Sequence, residues 1–469
     1  MRIIVAGALV SALVLGGAIE ATAARGDAQR SRPNGVVAII DTGINPYHQT
    51  FRDNSARAYR HPSTYIPGYP SDAIALPITL DEPDYWTAVE QDCESIWAKV
   101  EPGKLYWFPG TKIIGALTLE KGIAGFPAAP IDCSNPRASF ADRSILDFSG
   151  HGTMTASRAA SVEYGACRSC LLVAVQGFNT DSVAWAADNS HWIDAQSNSW
   201  GRFLPVWVPV AADELVTNDP QFVRIVEDAA RRHLAFWASG NGALTRGGVL
   251  GHPTILDPRM TPSVVMVGGH DSGYVNLWPA FPPHVVADSC NSWAAYHTQT
   301  EQSDENVGSG TSAASPWAAG GATRILLEAR RILGDRDTGI ESGMAASGRA
   351  GLVAEGPLAD GVFTLEEWKE VTYRTASARP EGQREDGSVC SGGAGYVIYD
   401  STPVRWEDVP AEYPEYLHIG YGAVDAQSLQ LAFSVLRGVE PVPDRGETDD
   451  YFAMDAQVRG ALHAVYRGP

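Results

Sequence analysis

The chain has 469 residues, of which 44% are hydrophobic and 19% are charged, so it can bury a large core and is globular rather than disordered. Its formal net charge is −20, which makes nucleic acids and anionic lipid surfaces unfavourable partners. The composition therefore disfavours a nucleic-acid-binding protein, and the function has to be sought in motifs that carry chemistry.

The N-terminal segment has the three parts of a secretory signal: a basic residue, an apolar run from Ile3 to about Ile19, and small residues at 21–24. We expect cleavage after Ala23 or Ala24, so that residues 1–24 are a signal peptide and the mature protein is secreted. The alternative is an uncleaved anchor, which is disfavoured because the run is shorter than a typical span. No stable membrane anchor is expected after cleavage.

Six cysteines suit an exported chain with up to three disulfide bonds, at Cys93, Cys133, Cys167, Cys170, Cys290 and Cys390. Cys167 and Cys170 form the expected local pair, and the pairing of the other four stays open. A Cys-x-x-Cys segment can also bind zinc, but no second such segment or His-x3-His accompanies this one. We therefore assign no metal ligands.

The first predicted element is a short buried strand, because residues 36–40 are all apolar and lead directly into Asp41-Thr42-Gly43. Asp41 would then lie at the carboxyl end of the strand, where open α/β sheets place their ligand crevice. Asp-Thr-Gly also occurs in aspartic proteases, and a second copy lies at residues 337–339. That copy lacks a preceding apolar strand, so we interpret it as a surface turn.

A histidine framed by glycines follows a long irregular stretch. Residues 51–109 are rich in aromatic residues, proline and acidic residues without a clear period, which indicates an ordered insertion. A strand is predicted to resume near residue 113, and the small residues after His151 predict a helix that this histidine opens. Because the flanking glycines let backbone pack close beside the ring, His151 is a candidate site residue rather than a structural histidine.

Strands and helices then alternate along the chain. Strands are predicted at 171–175, 192–199, 234–238 and 263–267, with helices at 181–189 and 221–232. This alternation favours an α/β fold with a mainly parallel sheet and helices on both faces. Ser239-Gly240-Asn241-Gly242 follows one of the strands, although Asn-Gly is a common turn dipeptide and is weak evidence by itself.

The strongest candidate is Ser312, which a glycine-rich approach delivers to the start of an apolar helix. Free backbone N–H groups at a helix N-terminus favour developing negative charge. Pro316 cannot donate a hydrogen bond to the carbonyl of Ser312, and such a broken rule beside a polar side chain is expected at a functional site. The alternative is a serine that caps an ordinary buried helix.

The C-terminal part of the sequence contains fewer patterns that predict structure. Residues 334–360 are interpreted as a connection of small residues, and residues 365–376 as a helix. A last helix is predicted to begin after Gly420-Tyr421-Gly422 and to end near Gly438.

Three motifs in the order Asp, His, Ser resemble those of the subtilisin-like serine proteases, the subtilases. The serine motif Gly-Thr-Ser-x-Ala-x-Pro at residues 310–316 matches throughout, and Asp41-Thr42-Gly43 matches behind its apolar strand. The histidine motif departs at Met154, where a second histidine is frequent, and at Thr155, where an apolar residue is usual. These departures predict softer helix packing but leave His151 in place.

The resemblance extends to segments between these motifs. Residues 198–201 resemble the family's substrate-binding strand, residues 238–242 its oxyanion segment, residues 251–253 the floor of its specificity pocket, and residues 420–422 the start of its closing helix. The residues assigned to substrate binding on this basis are Ser199, Trp200, Gly201, Ser239, Gly240 and Gly251.

The resemblance implies a subtilisin-like three-layer fold and a secreted serine endopeptidase that forms an acyl-enzyme intermediate. Ser312 would be the nucleophile, His151 the general base, and Asp41 the group that orients and stabilises the imidazole. Asn241 and the Ser312 backbone N–H would face the oxyanion. Protein or peptide substrates are the expected partners. No cofactor is expected; calcium is common in the family, but no loop of acidic ligands stands out here.

The resemblance also suggests a domain organisation. We predict a signal peptide over residues 1–24, a peptidase domain over 25–438 that includes the insertion at about 51–109, and an acidic tail over 439–469. Secreted members of the family usually carry a propeptide before the catalytic domain. Only residues 24–35 separate the predicted signal from the first strand, so no such propeptide is expected.

Two other functions compete with this hypothesis. A catalytically inactive binding protein of the same fold is disfavoured because a complete triad is rarely needed without catalysis, and hydrolysis of casein separates the two. An α/β-hydrolase esterase requires Gly-x-Ser-x-Gly followed by an acid and then a histidine. Ala314 replaces the second glycine, so this alternative is discounted.

Overall fold

The computed structural model describes most of the chain between Gly35 and Asp444. The described residues are 35–119, 131–136, 145–147, 149–201, 220–240, 243–245, 248–250, 261, 263–271, 274–275, 283–289, 292–295, 303, 305–308, 310–335, 343–377, 404–405 and 421–444. The predicted signal peptide and most of the predicted acidic tail lie outside them. No helix in these ranges is both long and apolar enough to span a membrane.

The described strands are numbered along the chain. They are β1 (Val36–Asp41), β2 (Ile74–Ala75), β3 (Tyr106–Trp107), β4 (Ile113–Thr118), β5 (Leu171–Gln176), β6 (Ala195–Asn198), β7 (Leu234–Ala238), β8 (Ala243–Thr245), β9 (Gly248–Leu250), β10 (Val265–Asp271), β11 (Tyr274–Val275), β12 (Val285–Asp288), β13 (Ser292–Ala295), β14 (Glu305–Gly308), β15 (Met344–Ser347), β16 (Val362–Thr364) and β17 (Val404–Arg405).

The helices are numbered in the same way. They are α1 (Tyr85–Asp92), α2 (His151–Ala160), α3 (Thr180–Asp188), α4 (Pro220–Ala230), α5 (Thr311–Leu333), α6 (Leu365–Arg374) and α7 (Ala426–Leu436). Side chains cap several of their N-termini: Asn179 accepts from Ser182 N before α3, and Thr364 forms a capping box with Glu367 before α6.

One large sheet organises the molecule. In the described part of the chain it has 11 strands in the order β17-β11-β10-β7-β6-β1-β5-β4-β3-β2, with β12 paired to β10. The pairs from β10 through β7, β6, β1 and β5 to β4 are all parallel, as is the β10–β12 pair. Antiparallel pairs occur toward the edges, at β3–β4, β10–β11 and β11–β17.

Alternate side chains of β1 enter two different apolar cores. Val37 and Ile39 belong to the core that contains residues of α2 and α5, whereas Val36, Ala38 and Ile40 belong to the core that contains residues of α3 and α4. Because successive side chains of a strand point to opposite faces, helices cover both faces of the sheet. The predicted three-layer α/β fold with a mainly parallel sheet is confirmed.

The insertion is an ordered extension of the sheet. Within residues 51–109, β3 pairs with β4 and β2 pairs with β3. The buried hydroxyl of Tyr47 donates to Asp92 Oδ2 at 2.8 Å and accepts from Trp97 Nε1 at 2.8 Å, which links α1 and the residues after it to the segment that follows β1. The insertion is therefore part of the folded domain and not a separate appendage.

Two disulfide bonds are present among the described residues. The predicted local pair Cys167–Cys170 is formed, and Cys93 of the insertion is bonded to Cys133. Cys290 and Cys390 lie outside the described residues.

Two of the differences from the predicted elements have a visible cause. The strand predicted over 192–199 is the shorter strand β6, which begins at Ala195. The N–H groups of Trp192 and Ile193 both donate to Asn189 O, so these residues continue the turn that ends α3. The predicted connection over 334–360 contains β15, which pairs with β16. The two middle residues of β15 are buried and the two outer ones are exposed, so the strand lacks the alternation of buried and exposed residues by which strands are predicted.

Candidate active site

Asp41 lies at the carboxyl end of β1, as predicted from the apolar run before it, and β1 lies between β5 and β6. Its carboxylate is buried, with only 1% of the residue exposed. The backbone N–H of Thr42 donates to Asp41 Oδ1 at 2.8 Å. This bond stabilises the ionised carboxylate and fixes one of its two oxygens.

His151 is the first residue of α2 and faces this carboxylate. Its Nδ1 is 2.6 Å from Asp41 Oδ1, and 22% of its side chain remains exposed. Nδ1 therefore carries the proton and Nε2 is left as the basic nitrogen. Burial acts to lower the pKa of His151, but the charge and hydrogen bond of Asp41, with a smaller contribution from Asp147, raise it above its ordinary value of 6.5.

The glycines beside His151 have a steric role. A Cβ atom at Gly152 would clash with the carbonyl oxygen of Gly43, and the N–H of Gly152 donates to Thr42 Oγ1 at 2.8 Å. Gly150, which precedes the helix, has a φ of +83° in the left-handed region that favours glycine. The backbone of the histidine motif thus lies directly against the backbone that follows Asp41.

A second buried carboxylate joins these two loops. Asp147 Oδ1 accepts from Thr42 Oγ1 at 2.7 Å, from Gly150 N at 2.9 Å and from Ser149 N at 3.0 Å. Its Oδ2 accepts from both the backbone N–H and the hydroxyl of Thr153 at 2.7 Å. Asp147 therefore fixes the N-terminus of α2 to the residue after Asp41. This role was not predicted from the sequence, because Asp147 lies three residues before Gly150, the N-cap position of α2.

Replacing Asp147 by asparagine is expected to destabilise the fold and to slow any reaction at His151. One oxygen becomes an NH2 group that faces other donors, so the free energy of unfolding should fall by about 2–4 kcal/mol. Thermal unfolding measures the effect. Asp132→Asn is the matched control, because Asp132 accepts similar local bonds from Ser134 on the surface. Equal stability losses in the two variants would contradict the role given to Asp147.

Ser312 lies in the first turn of α5, directly after Thr311. Gly310 is the residue before the helix, and the N–H groups of a first helical turn have no acceptors within the helix. The backbone N–H of Ser312 is therefore directed out of the helix N-terminus, where an anionic oxygen is favoured. This is the position that the sequence predicted for a nucleophile.

Ser199 and Ser312 form a reciprocal pair. Pro316 lies inside α5, so the carbonyl of Ser312 lacks its usual donor from four residues ahead. Ser199 Oγ supplies a hydrogen bond to that carbonyl at 2.9 Å, while Ser312 Oγ donates to Ser199 O at 3.3 Å. The carbonyl that Pro316 leaves without a helical donor thus receives a hydrogen bond from Ser199, which follows β6. Ser199 was predicted to bind substrate.

Helices α2 and α5 pack against each other next to these residues. Met154 is buried and contacts Ala313, and a Cβ at Gly320 would clash with the carbonyl oxygen of Ala159. Met154 and Thr155, the two departures from the family's histidine motif, are both buried, with 1% and 0% of their surface exposed, and the softer packing expected from them stays a prediction. Methionine fills this contact well because its side chain is unbranched and adaptable.

The other residues assigned to substrate binding are placed as follows. Gly240 N donates to Thr311 Oγ1 at 3.2 Å, and Ser239 N donates to Val267 O at 2.9 Å, so this segment lies beside the start of α5. Trp200 is largely buried, its ring centroid is 4.8 Å from that of Trp237, and its carbonyl accepts from Trp237 Nε1. Gly201 follows it. Asn241 and Gly251 lie outside the described residues.

The arrangement provides a basic imidazole nitrogen, a hydroxyl at a helix N-terminus and a buried carboxylate that stabilises positive charge. These are the groups needed to activate a serine as a nucleophile. The carboxylates nearest to His151, Asp41 and Asp147, are already bonded to protein donors. Among the described residues, no group of histidine, cysteine and acidic side chains is arranged to hold a metal ion.

Three solved structures are similar to this one. The structure is similar to a cold adapted subtilisin-like serine proteinase, with 15% identity and a TM-score of 0.34 over 63% of this chain and 76% of that one. It is similar to the epidermin leader peptide processing serine protease EpiP from Staphylococcus aureus, with 12% identity and a TM-score of 0.42 over 87% and 78%. For the protease domain of PatA the values are 13%, 0.39, 87% and 98%.

The sequence itself gives the decisive match. No curated protein matches it, but the model of the subtilase family matches residues 33–339, which include Asp41, His151 and Ser312. This match covers more than half of the chain. The protein therefore belongs to the subtilase family of serine proteases.

Proposed function

We propose that the protein is a secreted serine endopeptidase that hydrolyses peptide bonds through Asp41, His151 and Ser312. The observation that carries the proposal is the 2.6 Å bond between His151 Nδ1 and Asp41 Oδ1, which leaves Nε2 as the basic nitrogen. His151 opens α2, and Met154 of this helix contacts Ala313, the residue after Ser312 on α5. Membership of the subtilase family supports the choice of peptide bonds as the substrate. The two disulfide bonds and the predicted signal peptide support secretion.

The first half of the reaction acylates Ser312. Its Oγ attacks the carbonyl carbon of the scissile peptide bond while His151 Nε2 takes the hydroxyl proton. The imidazolium that forms is stabilised by the carboxylate of Asp41. The tetrahedral intermediate then expels the amine, which receives the proton from His151, and an ester between Ser312 and the acyl group remains.

The second half releases the acid. Water attacks the ester carbon, His151 takes a proton from the water, and collapse of the second tetrahedral intermediate returns the proton to Ser312 Oγ. In both halves the carbonyl oxygen becomes negatively charged. We assign its stabilisation to the backbone N–H of Ser312 at the start of α5 and to the side-chain amide of Asn241.

Cleavage of a peptide library and of casein by the purified protein tests the proposal. Internal cleavage of peptides by the wild-type protein, with none by Ser312→Ala prepared in parallel, is the expected result. Absence of cleavage by folded wild-type protein, over a broad set of sequences and pH values, would instead favour a binding protein of the same fold. The cleavage sites would also define the preferred substrate residues.

The pH dependence of kcat/KM is expected to follow His151. The imidazole must be neutral to accept a proton, so activity is lost as the pH falls through its pKa and is fully present above it. Because Asp41 raises that pKa, the rise of kcat/KM with pH should have its midpoint above pH 6.5. A rate profile over pH 4–10 measures it. An optimum in acid, with activity falling as the pH rises through 6.5, would indicate a carboxylate mechanism instead.

A further inference from the structure

The second oxygen of Asp41 contacts a threonine that the histidine motif does not normally provide. Thr155 Oγ1 lies 3.3 Å from Asp41 Oδ2, and neither residue has more than 1% of its surface exposed. His151 Nδ1 and Thr42 N both bond to the other oxygen, Oδ1. Among the described residues, Thr155 is therefore the donor to Oδ2.

The helix places Thr155 at this position. Residues 151 and 155 are four apart on α2, so their side chains lie on the same helix face, one turn from each other. The face that presents the imidazole to Asp41 must also present the side chain at 155. An apolar residue there would leave Asp41 Oδ2 buried without a donor.

The hydroxyl of Thr155 has a second acceptor, the carbonyl of Gly152, at 2.9 Å. Back-bonding of this kind satisfies many buried threonines in helices and by itself implies nothing about the site. An ionised carboxylate is the stronger acceptor, and Asp41 carries the only negative charge that contacts this hydroxyl among the described residues. The single hydroxyl hydrogen is thus shared between a helix carbonyl and the triad carboxylate.

We propose that Thr155 is a positioning residue that holds the carboxylate of Asp41 through Oδ2 and thereby sets the basicity of His151. With donors at both oxygens, rotation of the carboxylate about its Cβ–Cγ bond is opposed, and Oδ1 stays in line with Nδ1. The Thr155 hydroxyl also draws part of the negative charge away from His151. This inference rests on the proposed function of the Asp41, His151 and Ser312 site.

Removal of the Thr155 hydroxyl is expected to raise the pKa of His151. The charged groups that face His151 among the described residues are Asp41 at the end of β1 and Asp147 before α2, and Asp147 is saturated with donors of its own. Loss of the Thr155 hydroxyl would concentrate the charge of Asp41 on the imidazole side. The pKa of His151 would then rise, and the enzyme would need a higher pH to reach full activity.

The test compares two substitutions at Thr155. Thr155→Val keeps the shape of the side chain and removes the hydroxyl, whereas Thr155→Ser keeps the hydroxyl. For the valine variant we expect kcat to fall about tenfold with KM nearly unchanged, and the midpoint of the kcat/KM profile to move to higher pH. The serine variant should recover kcat to within about threefold of wild type.

The matched control is Thr372→Val on α6. Thr372 is also buried and its hydroxyl donates to a helix carbonyl, that of Trp368, at 2.9 Å, but it lies outside the site. Its loss should lower stability by a similar amount and leave kcat and the pH midpoint unchanged. If Thr155→Val folds poorly, Thr155→Ala removes the same hydroxyl and provides the same comparison.

An NMR titration of labelled histidine provides a readout that does not depend on turnover. A higher pKa of His151 in Thr155→Val than in wild type supports the inference, even if the wild-type protein cleaves no peptide and the proposed function fails. An unchanged His151 pKa, together with an unchanged kcat where there is turnover, overturns it. Thr155 would then do no more than bond to Gly152.

Discussion

Replacing Ser312 by alanine is expected to lower kcat by a factor of about 10⁶, the size measured for removal of the nucleophile from subtilisin-type triads. The hydroxyl is the group that would form the ester, and its neighbours cannot replace it. Ser199 Oγ donates to the carbonyl of Ser312 and is directed away from attack. Steady-state kinetics on a peptide substrate, with single-turnover measurements for the variant, gives the ratio.

Ser315→Ala is the matched control for this change. Ser315 lies on the same helix, is fully buried, and contacts Ser197 Oγ at 3.1 Å on the side of the sheet. Its replacement removes a hydroxyl of the same type from α5, so it should alter stability and leave kcat within about threefold of wild type. If Ser312→Ala retained more than one per cent of wild-type kcat, with contaminating protease excluded, Ser312 would not be the nucleophile.

Asp41→Asn is expected to have the second largest effect, a fall in kcat of about 10⁴, as measured for the same change in other serine protease triads. The asparagine can still accept from Thr42 N, so the loop should keep its shape. What is lost is the negative charge that stabilises the imidazolium during proton transfer. Burial then acts on His151 without opposition from Asp41, so its pKa should fall below that of the wild type.

Two measurements on Asp41→Asn separate charge from geometry. Thermal unfolding shows whether the variant is intact, and the rate profile shows whether the midpoint has moved to lower pH. An intact variant with kcat within tenfold of wild type would mean that Asp41 does not support His151 during the reaction.

The sequence predicted those features that depend on local pattern. The apolar run before Asp41 required a buried strand, and the position of Asp41 at its end followed from the behaviour of parallel sheets. Pro316 predicted a carbonyl without its helical donor, and the structure has that carbonyl at Ser312. The glycines around His151 predicted that backbone packs close beside its ring, and in the structure Gly152 lies against the backbone of Gly43.

The features that were missed depend on contacts between distant parts of the chain. Nothing near Ser199 in the sequence indicates that its hydroxyl bonds to residue 312, 113 positions away. Asp147 lies outside the N-cap position of α2, and its bond to Thr42 spans 105 positions. Thr155 was noted only as a departure from an apolar position, and its value as a donor becomes visible when α2 is placed against β1.

Labelling with a fluorophosphonate probe tests the central claim most directly. Such a probe phosphonylates a serine only when a neighbouring base activates it, and digestion followed by mass spectrometry identifies the modified residue. We expect one adduct per molecule, on Ser312, with labelling that declines as the pH falls below the pKa of His151. An adduct on another residue, or no adduct on protein that hydrolyses peptides, would contradict the assignment of Ser312 as the nucleophile.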